Sequence, residues 1–226
     1  MQDLLNRLLP NVTPIWDVVW ESLLETLYMT IVTALIAGLL GIILGVILLI
    51  TDANGLTPNV PFYNFLDKTV NVFRSLPFVI LVAIIYPFTR FVVGQAIGTT
   101  AVIVPLVIST VPFFARQIQN ALLEVDPGVV EAAQSMGTSN VDIIFRVYLK
   151  EGLASIIRVS AVTIINLIGL TAMAGTLGGG GLGNLAIARG YTRDQNDIIW
   201  VATGLILIIV FISQAIGNYL VKKTSN

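Results

Sequence analysis

Long runs of apolar residues separated by short polar segments dominate this chain. Four of the runs contain no charged residue, and they cover 26–51, 91–115, 159–188 and 198–221. A helix needs about 20 consecutive apolar residues to cross the hydrocarbon core of a membrane. Each run is long enough, so the pattern predicts four membrane-spanning helices.

A fifth, weaker span is predicted around the uncharged segment 75–89, which contains Pro77 and Pro87. That segment is too short alone, but it becomes long enough when 70–73 is added. Arg74 must then extend its side chain to the interface or face the protein interior. The expected fold is therefore an all-α polytopic membrane protein, a single transmembrane domain over 1–226, with spans at about 23–50, 70–89, 96–116, 155–178 and 198–221.

The composition supports a membrane protein and excludes several classes of activity. Of 226 residues, 56% are hydrophobic and 11% are charged, against roughly 25% charged in an average soluble domain. There is no cysteine or histidine, which removes thiolate chemistry and the commonest general base and zinc ligand. The net charge of -1 gives no sign of a nucleic-acid partner.

The basic residues predict the orientation of the five spans. With the N-terminus outside, eight of the twelve lysines and arginines fall on the inner side, as the positive-inside rule prefers. This places the C-terminus inside and the polar segment 124–153 in the cytoplasm. Residues 1–10 are expected at the membrane interface, with Trp16 and Trp20 as anchors, and they lack the features of a cleavable signal peptide.

The segment 124–153 reads as two short helices joined by a glycine bend. Asp126 and Pro127 form a helix start, Gly137 is typical of a helix end, and Ser139 begins a second helix. Helical spacing places an apolar face on the first helix at Val129, Ala132, Ala133 and Met136. The second helix is expected to have an apolar side at Ile143, Ile144, Val147 and Tyr148.

Periodicity leaves two interpretations of this segment open. It is either an amphipathic hairpin lying on the membrane or a docking element for another protein. The second is favoured by the small alanines beside Glu131, which permit close approach of a partner backbone.

The sequence "EAAQSMG" resembles the cytoplasmic signature of ABC-importer membrane subunits, in which E-A-A is followed by three residues and a glycine. Glu131, Ala132, Ala133 and Gly137 match it, while Lys150 stands where the family has a proline. The resemblance implies that these residues form coupling helices, between spans 3 and 4, that dock on an ATP-binding subunit. The loss of the proline predicts a less sharply bent path into the next span.

Other stretches are similar to the methionine-importer (MetI-type) permeases within this family. They are "NVFRSLPFVIL", "PFTRFVVG", "VPFFARQIQNALLEV" and "GLTAMAGTLGGGGLG". The resemblance implies a homodimer in the bacterial inner membrane that is not itself an enzyme. Two ATP-binding subunits would carry the ATP and magnesium, and an extracytoplasmic binding protein or lipoprotein would deliver methionine, in its D- as well as its L-form. No cofactor is expected on this chain, and its remaining partner is membrane lipid.

Two glycine motifs are relevant to whether the chain binds a nucleotide. "GGGGLG" at 178–183 satisfies G-x-G-x-x-G, but it follows a membrane helix rather than a strand, so a dinucleotide site is rejected in favour of an external turn or a half-buried loop. The chain has no G-x-x-x-x-G-K-[ST] motif, so nucleotide binding by a P-loop must occur on another polypeptide.

Three residues of the fourth span are candidates for the substrate path. Met173 lies among small residues that allow close helix packing, although a methionine there is also a common gap filler; the resemblance favours a place near the path. Asn166 and Thr171 are polar residues of the same helix, and they face either the dimer axis or one another.

Three alternatives remain open at this stage. The solute could be another small amino acid or a quaternary amine, and the chain could act alone as a secondary carrier. The lack of a carboxylate near the middle of any span disfavours a proton-coupled carrier.

Overall fold

The computed structural model describes residues 9–224, and every regular element in that range is helical. The expectation for residues 1–8 at the membrane interface lies outside the described residues. The helices are α1 (Trp16–Thr51), α2 (Val60–Ser75), α3 (Phe78–Ile84), α4 (Tyr86–Val93), α5 (Ile103–Leu123), α6 (Pro127–Ser135), α7 (140–151), α8 (Leu153–Ala174), α9 (181–191) and α10 (Asn196–Thr224).

The first helix is longer than the predicted span 23–50. It runs for 36 residues from Trp16, which corresponds to about 54 Å, and Pro14 lies in the short 3₁₀ turn before it. Trp16 and Trp20 expose 56% and 59% of their surface. Several hydroxyls inside the helix donate to carbonyls one turn earlier, as where Thr30 Oγ1 donates to the Thr26 carbonyl at 2.8 Å, whereas the buried Thr33 Oγ1 has no partner.

The predicted second span, 70–89, is not one helix. Leu76 is extended (φ -76°, ψ 125°), because a residue before proline is disfavoured in the helical region and Pro77 has no N–H to donate. A second break falls at Ile85 (φ -90°, ψ 6°), and α4 begins just before Pro87 and ends at Gly94. The segment therefore consists of the end of α2, all of α3 and the start of α4.

The third predicted span, 96–116, is displaced in the structure. Residues 95–102 form turns, and the helix runs from Ile103 to Leu123. Pro105 consequently lies in the first turn, where a missing N–H costs little, and only Pro112 lies inside the helix.

The chain changes helical form at two places with wide π-helical turns, Ile143–Tyr148 within α7 and Leu185–Tyr191 within α9. At Gly175–Gly179, after α8, the chain is kinked instead, because Leu177 and Gly178 have non-helical backbone angles (Gly178 φ 90°, ψ 13°). π-Helical turns are rare and are frequently found at functional sites.

The described chain divides into two compact units, each with its own core. Among the described residues, unit 1 contains 9–35, 77–107 and 164–213, and unit 2 contains 36–76, 108–163 and 214–224. In unit 1, one buried cluster gathers Met29, Phe78, Leu106 and Leu167. Another joins Val12 to α9 and α10. In unit 2, side chains from α1, α5 and α8 form the largest cluster.

Within residues 9–224, three helical stretches are long and apolar enough to cross a membrane. They are Thr13–Thr51, Leu153–Gly179 and Asn196–Thr224. Helix α5 has a polar C-terminal half that includes Arg116 and Gln119, and α3 and α4 are short. Length and composition alone therefore do not identify α3, α4 and α5 as membrane spans.

Candidate functional site: the segment between α5 and α8 and the open face of α8

The segment between α5 and α8 is a helix pair with well-formed caps. Asp126 Oδ1 accepts a hydrogen bond from the Gly128 N–H at 2.8 Å, and Pro127 is the first residue of α6. At the start of α7, Ser139 Oγ accepts from the Asp142 N–H at 3.2 Å. Both helix starts predicted from the sequence are confirmed.

Gly137 ends α6 in the left-handed region, with φ +73°. Its N–H donates to the Gln134 carbonyl at 2.9 Å, and the Thr138 N–H donates to the Ala133 carbonyl at 3.1 Å. This pair of bonds is the Schellman motif, in which the residue after the helix must tolerate positive φ. The angle between α6 and α7 is therefore set by hydrogen bonds.

The buried face of α6 differs from the predicted one. Val130 and Ala133 are 7% and 5% exposed and pack with Ile143 of α7 and Val125. Of the four residues predicted on the apolar face, Val129, Ala132 and Met136 point away from the core, and only Ala133 is buried. Two apolar rows run along this helix, and periodicity alone does not say which of them packs inward.

The outward row of α6 is the more informative surface. Val129 and Met136 expose 44% and 78% of their area, and Ala132 lies between them on the same side at helical spacing. Glu131 is also exposed. It lies about 200° around the helix from Val129, so Ala132 separates it from the side of Val129 and Met136. We call the four exposed residues Val129, Glu131, Ala132 and Met136 the α6 outer row. It combines apolar side chains with one carboxylate, and a small residue at its centre permits close approach.

Helix α7 holds this arrangement in place. Ile143 is fully buried, Val147 and Tyr148 pack against the same cluster, and burial raises the pKa of the Tyr148 hydroxyl. The other side of α7 exposes Phe145 by 65%. The predicted apolar side of α7 is thus confirmed at three of its four positions, and Ile144 is half-buried.

The helix pair is attached firmly to the rest of unit 2. Ser155 Oγ donates to Glu124 Oε2 at 2.6 Å, across the whole segment. Only Gly152 separates α7 from α8, and its backbone is close to helical (φ -77°, ψ -1°). A Cβ at Gly152 would lie 2.7 Å from the Tyr148 carbonyl oxygen. This agrees with a gentle passage into α8 where Lys150 replaces the family's proline.

The three candidate path residues do not share one face of α8. Asn166, Gly169 and Met173 are exposed at spacings of three and four residues, and Met173 exposes 44% of its area. Thr171 is 1% exposed, and its Oγ1 donates to the Ile168 carbonyl at 2.8 Å. We call Asn166, Gly169 and Met173 the α8 open face; Thr171 belongs to the core instead.

The glycine-rich stretch after α8 is tightly packed and is held by α1. Glu25 Oε2 accepts a hydrogen bond from the Gly181 N–H at 2.6 Å, and Thr26 Oγ1 accepts from the Leu182 N–H at 2.9 Å. Glu25 Oε1 also accepts from Thr99 Oγ1 at 3.0 Å. Of the two interpretations of this stretch, the half-buried one with close backbone packing is confirmed, although residues 181–183 begin α9 and are not part of a loop.

Sequence reasoning missed one polar cluster, in unit 2. Arg116 of α5 forms an ion pair with Asp67 of α2, and its Nη1 donates to Gln119 Oε1 at 2.7 Å. The side chains of Arg116 and Asp67 are only 15% and 28% exposed. The signal was present, because an isolated charge beside an apolar run usually has a partner, but the partner lies 49 residues away.

Known proteins resemble the chain over most of its length. Residues 37–226 match the family described as "Binding-protein-dependent transport system inner membrane component". The chain belongs to this family. As a member it is a membrane component of a transport system rather than an enzyme, and the membrane reading of the composition is confirmed.

Individual relatives of the chain are described as methionine permeases. The chain is 49% identical over 158 residues, 70% of this chain and 73% of the other, to the "Probable D-methionine transport system permease protein MetI" of Pasteurella multocida (strain Pm70). It is 47% identical over 171 residues, 76% of this chain and 77% of the other, to the "Methionine import system permease protein MetP" of Bacillus subtilis (strain 168).

A solved structure has the same fold. It is described as "Inward facing conformations of the MetNI methionine ABC transporter", and the matched chain superimposes with a TM-score of 0.92 at 35% identity. The match covers 94% of this chain and 99% of that chain. The resemblance to ABC-importer permeases of the methionine type, drawn from sequence motifs, is thereby confirmed.

Proposed function

We propose that this chain is the permease subunit of an ABC importer for methionine. Two copies form the translocation path, and ATP and magnesium are bound by two separate ATP-binding subunits. The relatives named as methionine permeases support the substrate, and the absence of a P-loop motif from the sequence supports hydrolysis on other polypeptides. Both the D- and the L-form are candidate substrates.

The five-span topology with the N-terminus outside is part of this proposal. Helices α1, α8 and α10 provide three spans by length and composition. Helix α5 and the broken series from the end of α2 to α4 provide the others. Breaks and polar residues within a span are tolerated where they are covered by protein or line a water-filled path, which is what a permease requires.

The observation that carries the proposal is the α6 outer row, which is exposed on a helix that is held in place by its caps and by packing against α7. A hairpin lying on its own membrane would turn one apolar face to lipid and surround it with basic residues. The outer row instead has an acidic residue, Glu131, on one flank of Ala132 and the apolar Val129 and Met136 on the other, and Met136 is 78% exposed. A methionine-containing surface with a central alanine suits a groove on a protein partner. We infer that the ATP-binding subunit supplies that groove.

The α8 open face is assigned to the path or to the contact between the two copies. An exposed amide such as Asn166 is costly against lipid, because lipid offers it no hydrogen bond. Gly169 leaves room for a second helix to approach, and Met173 is available to the solute. A binding protein on the outer side delivers the solute, and closure of the ATP-binding pair turns the path outward because ATP binds the two states differently.

Reversing the charge of Glu131 tests the docking assignment. In vesicles that contain the permease, the ATP-binding subunit and the binding protein, Glu131→Lys should lower ATPase co-purification and methionine uptake by about ten-fold or more, which corresponds to about 1.4 kcal/mol. The control is Glu21→Lys, since Glu21 is an exposed carboxylate on α1 far from the outer row in sequence. Its uptake should equal the parent's.

The outcomes separate the rival functions. Parental binding and uptake by Glu131→Lys would leave the membrane-hairpin interpretation standing. Uptake by the purified chain without any ATPase would indicate a secondary carrier. Stronger competition by another amino acid or a quaternary amine than by D- or L-methionine would make the substrate assignment wrong.

A further inference from the structure

One face of α2 is polar along most of the helix. At spacings of three and four residues, which keep side chains on one side of a helix, this face carries Asn64, Asp67, Lys68, Asn71, Arg74 and Ser75. We call these six residues the α2 polar face. Most of them are exposed, including both cations.

The other sides of α2 have different surroundings. Val70 is 3% exposed and packs with Leu48 and Ala115, and Tyr63 and Leu66 lie against the same cluster. A second side exposes apolar side chains, with Phe65 at 66% and Val72 at 57%. The helix therefore already has one side for the protein core and one suited to lipid. The polar face is left for water or for a polar ligand.

The charges on the polar face do not cancel. Asp67 is held by Arg116 and also accepts a hydrogen bond from Asn71 Nδ2 at 3.0 Å. Within residues 9–224, the ion pairs are Arg116–Asp67 and Arg146–Asp142, so Lys68 and Arg74 have no carboxylate partner there. Their side chains lie six residues apart, or about 9 Å along the helix. Two uncompensated cations thus share a face with the amides of Asn64 and Asn71.

We propose that the α2 polar face binds the carboxylate of the transported amino acid, with Arg74 as the principal contact and Lys68 as the second cation. Arg74 lies in the last turn of α2, beside the break at Leu76. Its guanidinium can receive a carboxylate through two parallel hydrogen bonds. This inference rests on the proposed transport function, and it adds a chemical basis for selecting an anionic group in the path.

Two other arrangements would leave the same cations exposed. Arginine near the edge of a span can extend its long stem to the interface, and a basic side chain can pair with an anionic lipid headgroup. Cysteine has no such stem. Because the sequence contains no native cysteine, a single cysteine at position 74 reports the surroundings of the helix itself.

The first experiment measures labelling of Arg74→Cys in the assembled transporter by anionic and cationic methanethiosulfonates of equal size. Water access should make it react much faster than Phe65→Cys on the apolar side. The remaining Lys68 charge, about 9 Å away along the helix axis, should favour the anionic reagent by up to roughly five-fold, and adding Lys68→Gln should remove that preference. Rates should be the same in vesicles of purely zwitterionic lipid.

Slow reaction at both positions, no preference between the reagents, or a preference that requires anionic lipid would each overturn the proposal. These measurements do not depend on which solute is transported. They therefore remain interpretable if the methionine assignment fails.

The second experiment measures uptake in reconstituted vesicles. Arg74→Gln should lower methionine uptake about ten-fold while ATPase co-purification stays parental, and Arg74→Lys should retain more uptake than Arg74→Gln. The control is Arg90→Gln, since Arg90 is an exposed arginine at the end of α4, and its uptake should be unchanged. Parental uptake by Arg74→Gln would overturn the proposal.

Discussion

The bend between α6 and α7 and the turn that follows α8 both depend on glycine, but for different physical reasons. At Gly137 a Cβ would have nothing within 4 Å, and only the positive φ of +73° disfavours a side chain. In the turn at 175–183, positive φ is combined with crowding. A Cβ at Gly181 would lie 2.7 Å from Thr26 Oγ1. The bend is a surface feature shaped by backbone conformation, whereas the turn is an interior feature shaped by close packing.

The difference suits the tasks proposed for the two regions. A docking element must keep its surface free for a partner, so its glycine faces open space. A turn held by Glu25 and Thr26 of α1 keeps three chain segments in contact, so its glycines let backbones approach. Glycine is therefore found beside an open surface in the bend and among closely packed backbones in the turn.

The largest loss of stability is expected from Gly183→Ala. Its Cβ would overlap the carbonyl oxygen of Ala172, and neither group can turn away because both are backbone or rigid. Overpacking typically costs 1–3 kcal/mol and sometimes more, so we expect a loss of about 3 kcal/mol in the free energy of unfolding. Thermal unfolding in detergent measures it. Gly204→Ala, where a Cβ would have nothing within 4 Å, is the control and should be neutral.

A smaller effect is expected from Gly137→Ala, and it should be local. Holding a residue with a Cβ in the left-handed conformation costs roughly 1–2 kcal/mol, with no added clash. Unfolding of the membrane helices should change little, while ATPase co-purification and ATP-driven uptake should fall several-fold because α6 is misaligned. If Gly137→Ala lowers the unfolding temperature as much as Gly183→Ala does, the distinction between the two glycines is wrong.

The smallest effect on stability is expected from Met173→Ala on the α8 open face. A fully buried methionine would lose about 2–5 kcal/mol on truncation, but Met173 is 44% exposed. We therefore expect less than about 1 kcal/mol in thermal unfolding, together with a few-fold fall in methionine uptake. A loss of 2 kcal/mol or more with uptake proportional to assembled complex would mean that Met173 fills space in the core.

Local signals in the sequence predicted the helix starts and the glycine bend of segment 124–153 well. Asp126, Gly137 and Ser139 act through hydrogen bonds to residues two to four positions away, so their roles can be read from neighbouring letters. The buried side of α6 could not be predicted in this way, because Val130 is chosen over Val129 by contact with Ile143 and Val125, and the spacing of both rows is helical.

Tertiary contacts account for most of the other differences between the predicted and the observed structure, but not for all of them. The break at Leu76 follows from Pro77 and was within reach of local rules, but the apolar count led to one continuous span. Thr171 and Asn166 are both polar residues of one helix. Packing against neighbouring helices determines that the Thr171 hydroxyl is buried and the Asn166 amide is exposed. The pairing of Asp67 with Arg116 joins two helices that are distant in sequence, which no local pattern reveals.

Gly152 makes the connection between α7 and α8 unusually short and stiff. The two helices meet through one residue of nearly helical conformation, with the Tyr148 carbonyl on one side and the Leu122 side chain 2.9 Å from where a Cβ would be. A linker of several flexible residues would act as a spring and absorb part of any displacement. A single crowded glycine has little compliance, so under the docking proposal a displacement of α6 and α7 would be passed on to α8.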